Sequence, residues 1–382
     1  MIVVVTRAVP FLVVLAAVLG VAAAAAAKVP LLPVERVRFD YRTHDGRTSY
    51  AIVLLPGWWA QRGKPALPLV IAPHGRNTLP ESTAKRWRDL PTRGGFAVVL
   101  PAGWGRVLQF DSWGYPGQIA DLARMPALTE RAVPGFRYLR DRLYAIGESM
   151  GGQEVLDLLA LHPKLFAGVI AFDPAVDLAT RYYDFPRLPD GTATQQKARL
   201  EVGGTPLQEP GAYILRSPID YVRRIAFSGV PLQIWWSIDD QVIRYQAEQA
   251  GRFYTAVLDV NPRAPITPYV GRWKHTAEGI ADTQLPHALA RIGLLPARWL
   301  TDDPLRLHHG PNATPAERRP TDAEVRDMVA RFEAAQTRDQ EQTQENANRW
   351  RDAFIAAASL AATALLILAL SLRRTRAARS YR

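Results

Sequence analysis

Along the chain, short uniformly apolar runs alternate with stretches whose apolar residues recur every three or four positions. An apolar run with no polar face marks a strand buried on both sides, because a helix or a half-exposed strand leaves polar residues at its own period. The clearest runs are 66–72 (ALPLVIA), 95–101 (GFAVVLP), 166–172 (FAGVIAF) and 231–236 (PLQIWW). Helical spacing runs through 82–90, 118–124, part of 128–142, 150–161 and 285–292, and a helix is expected over 241–258. Near the start, 37–41 and 49–55 read as two strands joined by a turn at Asp45-Gly46. Fully apolar strands alternating with helices predict a mostly parallel central sheet with helices on both faces, an α/β fold. In such sheets ligands sit beyond the carboxyl ends of the strands. The weakly periodic stretch 174–229 is expected as an insertion at those ends, either a cap over a site or a surface excursion.

The termini break this pattern. Residues 1–27 hold one charge, Arg7, then a long apolar stretch and an alanine run ending at Ala27. That layout predicts a secretory signal peptide, with an uncleaved anchor as the alternative. Residues 353–372 carry no charge, and at 1.5 Å rise such a helix spans about 30 Å, enough to cross a bilayer core. Arg373, Arg374, Arg376, Arg379 and Arg382 follow. The expectation is therefore a single-pass transmembrane helix at 353–372, a cytoplasmic basic tail at 373–382, and a body at 28–310 outside the cell membrane. The polar run 311–352 reads as a stalk, with Thr321 and Glu324 spaced as a capping box.

Charge and cysteine content narrow the classes. The net charge is +11, but six of the 47 Lys and Arg lie in the two termini and no Asp or Glu does, leaving +5 on 28–352. A modest, dispersed excess argues against a nucleic-acid partner, whose site gathers basic residues. With no cysteine there is no disulfide, thiolate metal site or cysteine nucleophile.

Residues 144–154 read YAIGESMGGQE. A serine on a sharp strand-to-helix turn takes a strained backbone conformation, and side chains two residues either way would clash. Gly147 and Gly151 remove that clash. The turn lifts the hydroxyl clear of the backbone above a helix N-terminus, whose free N–H groups face any oxyanion formed there. This is a nucleophile elbow, G-x-S-x-G, with Ser149 at its tip.

A serine hydroxyl attacks only when a base removes its proton, and in this fold the chain order is serine, acid, histidine. That order excludes His44, His74 and His162 as the base. His308 and His309 lie in the approach to the stalk with no further ligands at metal spacing, and His287 lies in an expected helix. His275 sits in a loop, 271–276, after an extended stretch, where a base belongs. Asp239 and Asp240 both follow 231–236. Asp240 better fits the D-x-V-[VI] turn expected there, partly by analogy, with the other aspartate capping the next helix. For the oxyanion, one donor is expected from the Met150 N–H and another from the loop His74-Gly75-Arg76, with His74 itself structural. Trp104, Trp113, Trp235, Trp236 and Trp273 flank these segments and fit either an aromatic acyl pocket or ordinary core packing.

On G-E-S-M-G-G, the His-Gly after the third strand, the Asp after the penultimate strand and the Trp-Lys-His loop, residues 37–300 resemble the α/β-hydrolase superfamily of serine esterases and peptidases. The likeness is nearest to secreted bacterial esterases with polyester-depolymerase-like and prolyl-oligopeptidase-like elbows. The resemblance implies Ser149 as nucleophile, Asp240 as acid and His275 as base, with no metal and no organic cofactor. His74-Gly75 departs from the fuller HGGG form, being followed by Arg76-Asn77. The function expected is a membrane-anchored serine hydrolase of small-molecule or polymeric carboxylic esters. A peptidase or acyltransferase of the same fold, or an inactive binding module, are the alternatives.

Overall fold

The protein is described by a computed structural model that covers residues 31–297, 299 and 320–379. The expected signal peptide at 1–27 lies outside the described residues, as do His308 and His309.

Eight strands form one sheet in the order β1-β2-β4-β3-β5-β6-β7-β8. They are β1 (Glu35–Arg42), β2 (Thr48–Leu55), β3 (Leu67–Ile71), β4 (Ala97–Pro101), β5 (Tyr138–Glu148), β6 (Gly168–Phe172), β7 (Leu232–Ser237) and β8 (Ile266–Gly271). β1 pairs antiparallel with β2 from Glu35↔Leu55 to Arg42↔Thr48, and β2 pairs antiparallel with β4. Every other pairing is parallel. The sheet is thus mixed and mostly parallel.

Every residue of β3, β4, β6 and β7 is buried, as their uniform apolarity requires. Alternate residues feed opposite layers. Leu69 and Ile71 join one core with helices α3 (Pro116–Ala132), α4 (Met150–Leu161), α8 (Val222–Ala226) and α9 (Arg252–Val260). Val70 and Ala72 join the other, with α1 (Pro80–Trp87), α2 (Leu90–Gly94) and α10 (Leu285–Arg291). Helices therefore cover both faces, and burying one such apolar side chain contributes about 1.5–3 kcal/mol.

Between β6 and β7 the chain forms α5 (Leu178–Asp184), α6 (Gly191–Val202), α7 (Pro210–Ile214) and α8. This segment has a small core of its own, with Leu178, Tyr182, Phe185, Ala198, Val202 and Tyr213 packed around Trp113. A buried ion pair, Arg216 to Glu201 at 3.5 Å, fastens it to the loop after β4. Glu201 accepts from the Val107 and Leu108 amides at 2.8 and 2.9 Å, and Arg216 donates to Ser112 O at 2.6 Å.

Part of 128–142 is helical, to Ala132, as expected; β5 then begins at Tyr138, and its exposed residues 140 and 141 hid the start of the strand. Two expectations need correction. The helix expected over 241–258 starts late, because the Asp240 side chain holds the chain in a turn and a π-helical segment, Ala247–Gly251, precedes α9. The second correction concerns the membrane. Among the described residues no helix is long and apolar enough to cross a bilayer. Residues 353–372 are not a separate span but the continuation of α11 (Asp322–Arg379), whose first turns are polar and dock on the body. The transmembrane helix is withdrawn, and with it the membrane anchor and the single-pass localisation, extracytoplasmic body and cytoplasmic tail that were built on it.

The start of α11 is closed by reciprocal capping bonds: the Thr321 N–H donates to Glu324 Oε2 at 2.8 Å and the Glu324 N–H to Thr321 Oγ1 at 3.3 Å. Val325 and Val329 are buried in the first core, so the expected stalk begins as part of the body.

Candidate active site

Ser149 lies where β5 passes into α4, with φ +55° and ψ −121°. A non-glycine residue there is strained, and the cost is met only by a surrounding structure that fixes it. Gly147 and Gly151 provide the room. A Cβ on Gly147 would overlap the Gly151 carbonyl, and one on Gly151 would overlap the carbonyl of Pro73. The strand fixes one side of the turn through the Ser149 N–H, which donates to Phe172 O on β6 at 2.9 Å.

His275 follows β8 and Asp240 follows β7, so both hang from the same rim of the sheet as Ser149. The Nδ1 of His275 and Oδ2 of Asp240 are 2.7 Å apart. Asp240 Oδ1 accepts from the Val242 and Ile243 amides at 2.7 and 2.8 Å, and Oδ2 also accepts from Gln246 Nε2 at 3.2 Å. Burial opposes ionisation of Asp240, but these bonds and the imidazole outweigh it and hold its carboxyl below the usual range. Asp239 is turned outward in an exposed ion pair with Arg272 at 2.8 Å. The structure thus brings Asp240, not Asp239, to the imidazole. His275 Nε2 is buried and has no hydrogen-bond partner among the described residues. A ring nitrogen left open opposite a carboxylate-bound one is the arrangement a general base needs.

Gly75 lies against the serine: a Cβ on it would sit 3.6 Å from Ser149 Cβ. In its loop, the Asn77 N–H is taken by Asp111 Oδ1 at 2.8 Å and the Thr78 N–H by Gly75 O at 3.3 Å. The amides of Gly75, Arg76 and Met150 donate to no atom of the described residues. These are the three amides expected around an oxyanion. His74 is buried with both ring nitrogens 2.8 Å from backbone carbonyls, Gly75 O and Ala102 O, which ties this loop to the one after β4.

One residue of the site escaped sequence reasoning. Asp173, directly after β6, is fully buried with φ +42°. Its Oδ1 accepts from the Ser237 N–H at 2.8 Å, and its Oδ2 from the Thr276 N–H at 2.7 Å and Trp273 Nε1 at 3.2 Å. It braces the His275 loop from behind, and burial pushes its carboxyl above the usual range. The available signal was an apolar strand ending in Asp-Pro.

Single oxygens of Asp173 and Asp240 and a nitrogen of His275 lie within 4.8 Å of one another, a set that could hold a cation. Their lone pairs, however, already accept backbone, indole and imidazole N–H groups. The donor set therefore fits a hydrogen-bonded relay better than a metal centre.

Next to Ser149 lies a cavity of about 230 Å³. Met150, Gln153, Arg76 and Trp113 line its inner wall, and Arg181, Phe185, Leu188 and Thr194 of the insertion line its outer wall. Of the five tryptophans near the site, only Trp113 lines it; Trp235 and Trp236 are fully buried in the cores.

A sequence profile of the prolyl oligopeptidase family matches residues 127–257, less than half of the chain. No curated protein sequence matches. Among solved structures, a Bacteroides ovatus protein assigned as a dipeptidyl aminopeptidase IV superposes with a TM-score of 0.52 at 14% identity. That match covers 68% of this chain and 35% of the other. An S-formylglutathione hydrolase from Agrobacterium tumefaciens gives 0.49 at 15% identity, covering 69% and 96%. A ferulic acid esterase gives 0.46 at 18%, covering 63% and 91%. The chain thus shares the α/β fold of the Bacteroides ovatus protein, and its central third matches the prolyl oligopeptidase profile.

Proposed function

We propose that this protein hydrolyses carboxylic esters through an acyl-enzyme, with Ser149 as nucleophile, His275 as base and Asp240 as the acid that orients it. The support is the 2.7 Å contact between Asp240 and His275 Nδ1, with Nε2 left open, on the rim that carries the strained Ser149.

Attack begins when His275 Nε2 takes the Ser149 proton and Oγ adds to the ester carbonyl. Negative charge on the former carbonyl oxygen is met by the Met150 amide and an amide of Gly75 or Arg76, each worth about 3 kcal/mol of barrier. The imidazolium, stabilised by Asp240, returns the proton to the departing alcohol. Water then repeats the sequence on the acyl-enzyme and restores the serine. The insertion 174–229 acts as a cap that shields this chemistry from bulk water.

The whole chain should be treated with a fluorophosphonate and assayed on 4-nitrophenyl esters of graded acyl length and on aminoacyl amides. Labelling and ester turnover, both lost in Ser149→Ala, are expected. Faster turnover of the amides would move the assignment to a peptidase. Folded protein that neither labels nor turns over would leave a binding module.

A further inference from the structure

Arg181, on α5 of the insertion, lines the cavity beside Ser149 and is only 4% exposed. A buried guanidinium normally has a carboxylate at ion-pair distance, because an uncompensated buried charge is costly. Among the described residues Arg181 has none: it donates to the Val242 carbonyl and lies over the Phe185 ring, with its carbon 4.9 Å from the centroid. Asp184 and Asp240 act on it only from beyond contact distance. Burial lowers its pKa to about 10, so it remains cationic at neutral pH.

Arg76 lines the same cavity from the opposite loop, over Trp113 at 5.7 Å, and it too has no ion pair among the described residues. Two like charges face one small cavity, and Arg76 opposes the ionisation of Arg181. Neither Gln153, Thr194 nor Gln241, the polar residues around them, carries a negative charge. The missing countercharge has room to enter with a ligand. A guanidinium offers a planar fork of donors that matches a carboxylate in two parallel bonds.

Resting on the serine-hydrolase reading above, we propose that the substrate is a small ester bearing a free carboxylate, which Arg181, aided by Arg76, holds in the cavity beside Ser149. A cavity of about 230 Å³ is smaller than the roughly 300–1,000 Å³ of sites for drug-sized ligands, so the acid-bearing part is short. The arginines act as specificity residues: they select and position the ester and take no part in proton transfer.

The test compares each anionic ester with its isosteric carboxamide in the full chain, after subtracting spontaneous hydrolysis. 4-Nitrophenyl hydrogen glutarate against 4-nitrophenyl glutaramate places the charge on the acyl side. 4-Acetoxybenzoate against 4-acetoxybenzamide places it on the alcohol side. A preference in kcat/KM of about 10- to 100-fold for the acid is expected in one pair, the range of one charged hydrogen-bonded contact. Arg181→Met should collapse that ratio toward one, and Arg181→Lys should restore part of it. Should Arg181→Met fail to fold, inhibition of the wild-type protein decides: glutarate should compete with the ester at least 10-fold better than glutaramide. Equal turnover of acid and amide in both pairs, or a ratio unmoved in folded Arg181→Met, would overturn the carboxylate assignment alone. No turnover of any ester, together with no fluorophosphonate labelling, would remove the hydrolase reading and the carboxylate assignment with it.

Discussion

Glu154 lies one turn into the elbow helix, 1% exposed, accepting from the Ser112 hydroxyl. Burial pushes its carboxyl up from about 4.5 to about 7. Its folded pKa thus lies above its unfolded one, so the folded state holds more protons between these values and stability falls as pH rises from about 4.5 to about 7. The difference is worth roughly 3 kcal/mol at about 1.4 kcal/mol per unit. Glu154→Gln imitates the protonated form. Relative to wild type it should gain roughly 3 kcal/mol at pH 8 and under about 1 kcal/mol at pH 5, read from melts at both values. An unchanged gap between the two melts would refute the burial account. Single residues were unevenly legible in the sequence. Ser149 announced itself through Gly147 and Gly151, because only a crowded turn needs glycine at both places. Choosing between Asp239 and Asp240 rested on a turn pattern, whereas the structure separates them by direction, one outward to Arg272 and one inward to His275. Asp173 left only the Asp-Pro after an apolar strand, since an aspartate there looks the same whether it faces solvent or braces a loop.

Among the elements, β3, β4, β6 and β7 were plain in the sequence, because a strand buried on both faces leaves no polar position to confuse its period. The beginning of β5 was not: its exposed residues 140 and 141 fall in a break of register between the pairs Leu67↔Tyr138 and Leu69↔Leu143 and carry charges that mimic a helix surface. Position of the loops depends on contacts between distant segments. Asp173 shows this, joining the end of β6 to the end of β7 and to the loop after β8. In Asp173→Asn an amide NH₂ would face N–H groups that now donate to an oxygen. A loss of about 1–3 kcal/mol in stability is expected for the mispaired buried group. kcat should also fall about 10- to 100-fold as the His275 loop loosens, with KM changing less. A variant with unaltered kcat and melting temperature would show that the brace is dispensable.

For the whole molecule, the sheet and its two layers follow from the order of apolar runs, but the C-terminal part does not. Composition alone made 353–372 a membrane span and 311–352 a detached stalk. Position along one continuous helix changes that picture, because α11 enters the core at Val325 and Val329 before it continues outward. Tyr254 donates to Asp322 at 2.5 Å, and Arg326 pairs with Asp259 at 2.6 Å. A chain ending at residue 320 would leave the α9 face without the two valines, a loss of about 3 kcal/mol or more. Its thermal melt should fall several degrees below that of a chain ending at residue 345. Equal melts would mean that α11 contributes nothing to the body.

Among the described residues the sheet ends at β8, which pairs there with β7 alone and has no strand on its far side. Such an outermost strand can fray without the centre coming apart, since its hydrogen bonds are the first to exchange with water. The histidine loop is suspended from that strand, while the serine stands at the middle of the sheet. Gentle heating should therefore silence the protein while its ellipticity is still native, and cooling should bring the activity back.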